Sequence, residues 1–297
     1  MVAAVEIPGY VVGAPLGAGG FGQVFRAHHA ATGRDVAIKV LHPKYSADPA
    51  AVGRFVAEVR AVARISHPGI VEIHELGELA DGRQFCAMEL LHGATLRDLL
   101  RRRGPLPLAE ALPILRAIAG AVDAAHAAGI AHRDLKPENV FVGDAGEVKL
   151  IDFGLAKLSG DGGAPITATG TVIGTPLYMA PEQCRGRAEL ASDRYAFGAL
   201  AFHVLTGRPP FAGTPVALAL QHLDARPPRA STVTPALPRH VDRVLAALLA
   251  KDPAQRPAPL VVAVAMLAAP RRPATRWLVL GAIAVVAALV ALLLRAR

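Results

Sequence analysis

The chain holds little cysteine, little lysine and, in its last part, no acid at all. Its two cysteines, Cys86 and Cys184, stand far apart with no metal-like spacing, which excludes a disulfide-stapled scaffold or a zinc knuckle and predicts reduced thiols in a reducing compartment. The opening residues, MVAAVEIPGYVVG, lack the basic stretch and apolar run of an export signal, so the bulk of the chain is expected to stay where it is made. No Asp or Glu lies beyond Asp252, and Arg271, Arg272, Arg276, Arg295 and Arg297 supply five of the eight net positive charges. The +3 left over the first 270 residues falls short of the basic face of a nucleic-acid binder, and no such partner is expected. Only six positions are lysine, so a lysine inside a motif carries information.

What is present is apolar residues and a change of pattern along the chain. At 297 residues the chain has room for one large domain or two modest ones. Short β-type runs, GYVVGAPL, GQVFRAHH and RDVAIKVL, are separated by glycine-rich turns, and a segment with Val52, Phe55, Val56, Val59 and Val62 at helical spacing follows Asp48 and Pro49. GIVEIHELGEL and RQFCAMELL return to strand character. From Thr95 onward LRDLLRRR, LAEALPILRAIAGAVDAAHAAG, ALAFHVLTG and HVDRVLAALLAKD read as helices. The pattern predicts an α+β chain with a small β-rich lobe before a larger helical one. Residues 268–276, rich in proline and arginine, read as a linker.

Three stretches carry chemistry. In LGAGGFGQV, Gly17, Gly19, Gly22 and Val24 form a G-x-G-x-x-G-x-V pattern, whose bare backbone can approach phosphate oxygens but which also suits a plain hairpin loop. Seventeen residues after Gly22, Lys39 sits inside the apolar strand VAIK, either as a solvated outward end or as a buried cation with a partner; Glu58 on the following helix is the candidate partner. The decisive stretch is HRDLKPENVFVGDAGEVKLIDFG. It presents Asp134 as a base for an attacking hydroxyl, Lys136 as a cation near a moving phosphate, and Asn139 and Asp152 as hard oxygen ligands, the set that phosphoryl transfer needs.

With these motifs in order, the sequence resembles the eukaryotic-like (Hanks-type) serine/threonine protein kinases, of the bacterial membrane-anchored type, over residues 10–267. The resemblance implies a bilobal fold with an N-lobe at about 10–90 and a C-lobe at about 91–267, and an enzyme that uses ATP with Mg²⁺, or Mn²⁺ in its place, on protein Ser and Thr hydroxyls. It makes Lys39 and Glu58 an ion pair, Asp134 and Lys136 catalytic, and Asn139 and Asp152 the metal ligands. Leu16, Val24, Ala37 and Phe141 would sandwich the adenine, with Met88 as gatekeeper and Glu89 and Leu91 in the hinge. Thr175 of GTPLYMAPE would contact the catalytic aspartate and lysine. Glu182 of APE would pair with Arg256 of KDPAQRP, and Asp193 of SDRYAFG would brace the catalytic loop. Arg133 would pair with a phosphorylated activation-loop residue, for which Thr167 and Thr169 are the candidates, and self-association would serve autophosphorylation. The alternative within this family is a catalytically inactive scaffold.

Residues 277–294 carry no charge and no hydroxyl, and eleven of these eighteen are Leu, Ile or Val. At ~1.5 Å per residue they extend about 27 Å, enough to cross a bilayer with little tilt. A single-pass helix is expected, with only Arg295, Ala296 and Arg297 after it and with the catalytic domain on the cytoplasmic side, where ATP is.

Overall fold

The computed structural model describes residues 5–153 and 176–268. The expected sites at Thr167, Thr169 and Thr175 and the apolar segment 277–294 lie outside the described residues.

The first lobe is a five-stranded antiparallel sheet built from β1 (Tyr10–Ala18), β2 (Gly22–His29), β3 (Asp35–Leu41), β4 (Ile73–Glu78) and β5 (Gln84–Glu89), in the order β1-β2-β3-β5-β4. Strand alternation gives each face its own core. Val36, Ile38 and Val40 of β3 pack with Phe25, Ala27, Phe85 and Ala87, while Leu41 packs on the other face with Cys86 and the helix α2 (Pro49–Val62). Lys39 shares the parity of Leu41, so it is directed toward α2. That helix starts at Asp48, whose carboxylate accepts from Ala50 N–H at 2.9 Å, with Pro49 at its first position. Ala51, Phe55, Val59 and Val62 form its buried stripe; Val52 and Val56, also at helical spacing in the sequence, are half-buried at its edges. A one-turn helix, α1 (Pro43–Ser46), leads into it.

The second lobe is helical: α3 (Leu96–Arg103), α4 (Leu108–Ala127), α5 (Pro181–Cys184), α6 (Leu190–Thr206), α7 (Pro215–Asp224), α8 (Ala230–Val233), α9 (Arg239–Leu248) and α10 (Leu260–Ala268). A small sheet of β6 (Gly93–Thr95), β7 (Val140–Gly143) and β8 (Val148–Leu150) sits at its upper edge. α6 is the centre, with thirteen of seventeen residues buried, as expected for a helix apolar on nearly all sides. α4 lays Leu115, Ile118, Ala119 and Val122 into the same core, and α10 packs against α4 and α9 through Leu260, Ala263, Val264 and Leu267. α10 extends through Ala268, one residue into the expected linker. Among the described residues, no helix is long and apolar enough to cross a membrane.

Candidate active site

The site is assembled from β-strand ends of the first lobe and from the loop between α4 and β7. Residues 132–139 leave α4 and close in a 3₁₀ turn, Pro137–Asn139, that hands the chain to β7. Its geometry is set from beneath by Asp193, which is 1% exposed and accepts from the backbone N–H groups of His132 and Arg133 at 2.7 Å each and from His126 Nε2 at 2.8 Å. A buried carboxylate holding two backbone donors fixes the loop in one shape. Arg133 in this loop has φ +65°, and Asp152, just beyond β8, φ +59°, a region L-residues seldom occupy and which clusters at functional sites.

Within this loop Lys136 Nζ donates to Asp134 Oδ2 at 2.6 Å. Asn139 Nδ2 donates to the Asp134 carbonyl at 2.8 Å and to its Oδ2 at 3.1 Å. Asp134 is therefore oriented by two donors and sits beside a cation. Because the Asn139 amide nitrogen is committed to Asp134, its oxygen faces away from that carboxylate. An amide oxygen from Asn139 and a carboxylate from Asp152 are hard donors of the kind Mg²⁺ takes, so the residues fit the metal implied by the resemblance.

The expected ion pair between Lys39 and Glu58 is corrected by the structure. Lys39, 6% exposed, places Nζ 2.7 Å from Asp152 Oδ1, and Glu58 Oε1 accepts from Arg133 Nη1 at 3.2 Å. Each member of the expected pair is engaged across the lobe boundary. Lys39 and Glu58 line the same inner cavity, but there Asp152 reaches the amine and Arg133 reaches the carboxylate.

Of the expected nucleotide-site residues, five line one of two cavities, and Gly17, Gly19, Gly22, Val24, Ala37 and Glu89 line neither. Lys39, Glu58, Met88 and Asp152 line an inner one of about 40 Å³ with Phe55 and Phe153. Leu16, Leu91 and Phe141 line an outer one of about 710 Å³, which the sequence reading had not furnished with Thr95, Asp98, Arg101 and Arg102. Ala37 pairs with Met88, and Val24 with Lys39, in the strand ladder. In the hinge the Glu89 N–H is taken by the Glu72 carbonyl at 3.0 Å, so a hinge donor toward the outer cavity falls to Leu91, which lines it. Of the loop glycines, Gly22 has a steric reason to lack a side chain, since a Cβ there would collide with the Val40 carbonyl oxygen. Gly17 has nothing within 4 Å of that position.

Three features escaped sequence reasoning. Thr95 caps α3, accepting from Asp98 N–H at 3.1 Å and donating to Asp98 Oδ2 at 2.7 Å; the T-x-x-D spacing was the available signal. The Glu89 side chain gathers Lys149 Nζ at 2.6 Å and Glu72 N–H at 2.7 Å, a pairing over sixty residues that no local pattern announces. His132 is fully buried, donates to the Ile151 carbonyl at 3.1 Å and lies 4.5 Å from the Phe153 ring, joining this loop to the segment after β8 that carries Asp152.

Further down, Arg256 holds Glu182 through two bonds of 2.6 and 2.8 Å, both side chains are almost fully buried, and Ser192 Oγ donates to the same carboxylate at 2.7 Å. Burial pushes the Glu182 carboxyl up, but the hydrogen bonds from Arg256 and Ser192 outweigh it and hold the group below its ordinary value.

A β-rich lobe over a helical one, with a buried lysine, an oriented aspartate and two oxygen donors converging at their boundary, is the layout of a nucleotide-dependent kinase. The chain belongs to the protein kinase domain family, which matches residues 10–268. It is 42% identical over 250 residues to serine/threonine-protein kinase PknL of Mycobacterium tuberculosis, covering 83% of this chain and 62% of that one. It is 41% identical over 267 residues to PknA of the same species, covering 87% and 61%. This chain thus spans somewhat under two thirds of the length of those relatives. Among solved structures, the M. tuberculosis PknI kinase domain superposes with a TM-score of 0.72 at 30% identity, covering 90% of this chain and 98% of that one.

Proposed function

We propose that this protein is a serine/threonine protein kinase that transfers the γ-phosphate of ATP to Ser and Thr hydroxyls of protein substrates, tethered to the membrane by residues 277–294. The observation that carries the reading is the cluster of Asp134, Lys136 and Asn139 on a loop braced by Asp193. The Asp134 carboxylate, oriented by the donors on its Oδ2, would receive the proton of an attacking hydroxyl as the new O–P bond forms and the bond to ADP breaks. Lys136, 2.6 Å from that carboxylate, supplies positive charge beside the transferring group. A magnesium ion held by Asn139 and Asp152 would neutralise phosphate charge. Lys39 would hold the other phosphates, and the outer cavity between Leu16, Leu91 and Phe141 would take the base.

Names of the relatives support the serine/threonine assignment, as does Lys136 two residues after Asp134. Regulation follows from Arg133. A phosphate on Thr167 or Thr169 brings ~1.5 to 2 negative charges and would compete with Glu58 for that guanidinium. The catalytic domain then faces the cytoplasm, where the nucleotide pool is.

Phosphotransfer from radiolabelled ATP by the purified full chain, to itself and to a generic basic protein, tests the reading. Lys39→Ala and Asp134→Asn are expected to lower the rate by about 10²–10⁴-fold with the fold retained. Equal incorporation by the parent and both variants would sink it, and no incorporation by the parent would favour the inactive-scaffold alternative.

A further inference from the structure

α10 is apolar on every side. Its nine residues, LVVAVAMLA, contain no charge and no hydrogen-bonding side chain, the composition of a helix surrounded by protein or lipid. Only Leu260, Ala263, Val264 and Leu267 are buried, whereas Val261, Val262 and Met266 stand 39%, 47% and 51% exposed. Ala265 and Ala268 are exposed on the same side and make the stripe continuous.

The surroundings of the stripe are basic. On α9, Arg239 and Arg243 are exposed, and Arg243 lies one turn beyond His240, whose Nε2 donates to the Leu267 carbonyl at 2.9 Å. On α4, exposed Arg116 lies two turns before Asp123 and so on the side of that helix that meets α10. Asp123 itself has both carboxylate oxygens engaged by the N–H groups of Leu260 and Val261, at 2.8 and 3.0 Å. An uncharged stripe rimmed by arginines matches the boundary of an anionic bilayer, with the apolar part below the headgroups and the guanidinium groups among them. Chain length agrees. Trp277 follows Ala268 by nine residues, which at ~3.3 to 3.6 Å each reach at most ~32 Å, and Arg271, Arg272 and Arg276 lie between.

We propose that the outer face of α10, with Arg116, Arg239 and Arg243, rests on an anionic phospholipid surface, so that the helical lobe is docked on the bilayer rather than suspended from its linker. This builds on the tether reading above but concerns a separate surface.

The test uses the full chain in nanodiscs of phosphatidylcholine and phosphatidylglycerol, with an environment-sensitive fluorophore on Val262→Cys and, as control, on Val11→Cys of β1, which is 65% exposed. The native thiols compete poorly for the label, because burial pushes Cys86 up to about 12 and Cys184 up to about 11. Trp277, the chain's single tryptophan, reports separately on the tail. Lipids carrying a quencher near the headgroup are expected to dim the position 262 label at least about twofold, as a face buried ~5 to 10 Å deep would require, while the position 11 label yields only to an aqueous quencher. Loss of the position 262 effect in pure phosphatidylcholine would tie it to anionic lipid.

A position 262 label reached by aqueous but not lipid quencher overturns the proposal even if Trp277 is quenched by lipid, and leaves the tether standing. Lipid quenching at 262 with Trp277 untouched supports the surface and removes the tether. Protection from both quenchers that grows with protein concentration assigns the stripe to a second copy of the chain and also overturns it.

Discussion

Glu58 is ion-paired with Arg133 at 3.2 Å, joining α2 of the first lobe to the residue just before Asp134, the proposed base. With Lys39 meanwhile on Asp152, one of the two oxygen donors is occupied by a cation and the helix that carries Glu58 is held by the other lobe. Both members of the Glu58–Arg133 pair are about one-fifth exposed, so the contact contributes on the order of 1 kcal/mol, within reach of a competing phosphate. Arg133→Ala removes the latch and, under the proposed regulation, the phosphate receptor as well. The dephosphorylated variant is expected to run at least as fast as the dephosphorylated parent, and to gain little on phosphorylation while the parent gains severalfold. Initial rates before and after phosphatase treatment check this; a variant still stimulated like the parent would remove Arg133 from regulation.

The parts of the site that were legible in the sequence are those joined by short stretches of chain. Asp134, Lys136 and Asn139 lie within six residues, so their meeting follows from local geometry once the loop is fixed. The partner of Lys39 was not legible: strand alternation directs its side chain to the α2 face, but whether Glu58 or Asp152 meets it depends on where a whole helix sits on the sheet, which no spacing encodes. The Lys149–Glu89 pair, sixty residues apart, hid for the same reason. Fold legibility followed burial. α2 showed its stripe because one side faces solvent, whereas α10, apolar throughout, offers no periodicity to say which side is covered.

The loop glycines separate by what surrounds them. A side chain at position 22 would strike the Val40 carbonyl of the neighbouring strand, and one at position 17 meets nothing within 4 Å. Gly22→Ala is expected to cost about 1 to 3 kcal/mol and lower Tm by roughly 2–12 °C, while Gly17→Ala leaves Tm within a few degrees of the parent. Thermal unfolding of the two variants side by side decides it; equal losses would mean that β2 and β3 do not approach as closely as described.

Arg256 and Glu182 form a buried pair in which removal of either side strands the other. Arg256→Ala leaves the Glu182 carboxylate, 4% exposed, with Ser192 as its remaining side-chain donor, and is expected to cost ~3 to 5 kcal/mol and about 6–20 °C in Tm. Because Glu182 is held below its ordinary value of 4.5, its contribution is fully present above that pH and is lost as pH falls through the lowered folded value. Acid unfolding curves should therefore steepen below about pH 4.5 in the parent and less so in Arg256→Ala. Coincident curves would show that the pair does not govern acid stability.

His222 adds acid sensitivity of the same sign over a higher pH range. It is a fully buried residue of α7, its Nδ1 is 2.9 Å from the Tyr195 hydroxyl, and burial, with Lys251 nearby, pushes it from 6.5 down to about 4. The unfolded chain takes up its proton first, so stability is unaffected above pH 6.5, declines as pH falls from 6.5 toward 4, and levels off below. The shift corresponds to about 3 kcal/mol at the lower end of that window. His222→Gln keeps a polar side chain at the site and removes the titration, so its unfolding free energy should change little between pH 6.5 and 5 while the parent's drops. Denaturant midpoints at the two pH values provide the comparison, and a variant whose midpoint still falls in parallel with the parent would place the acid sensitivity elsewhere.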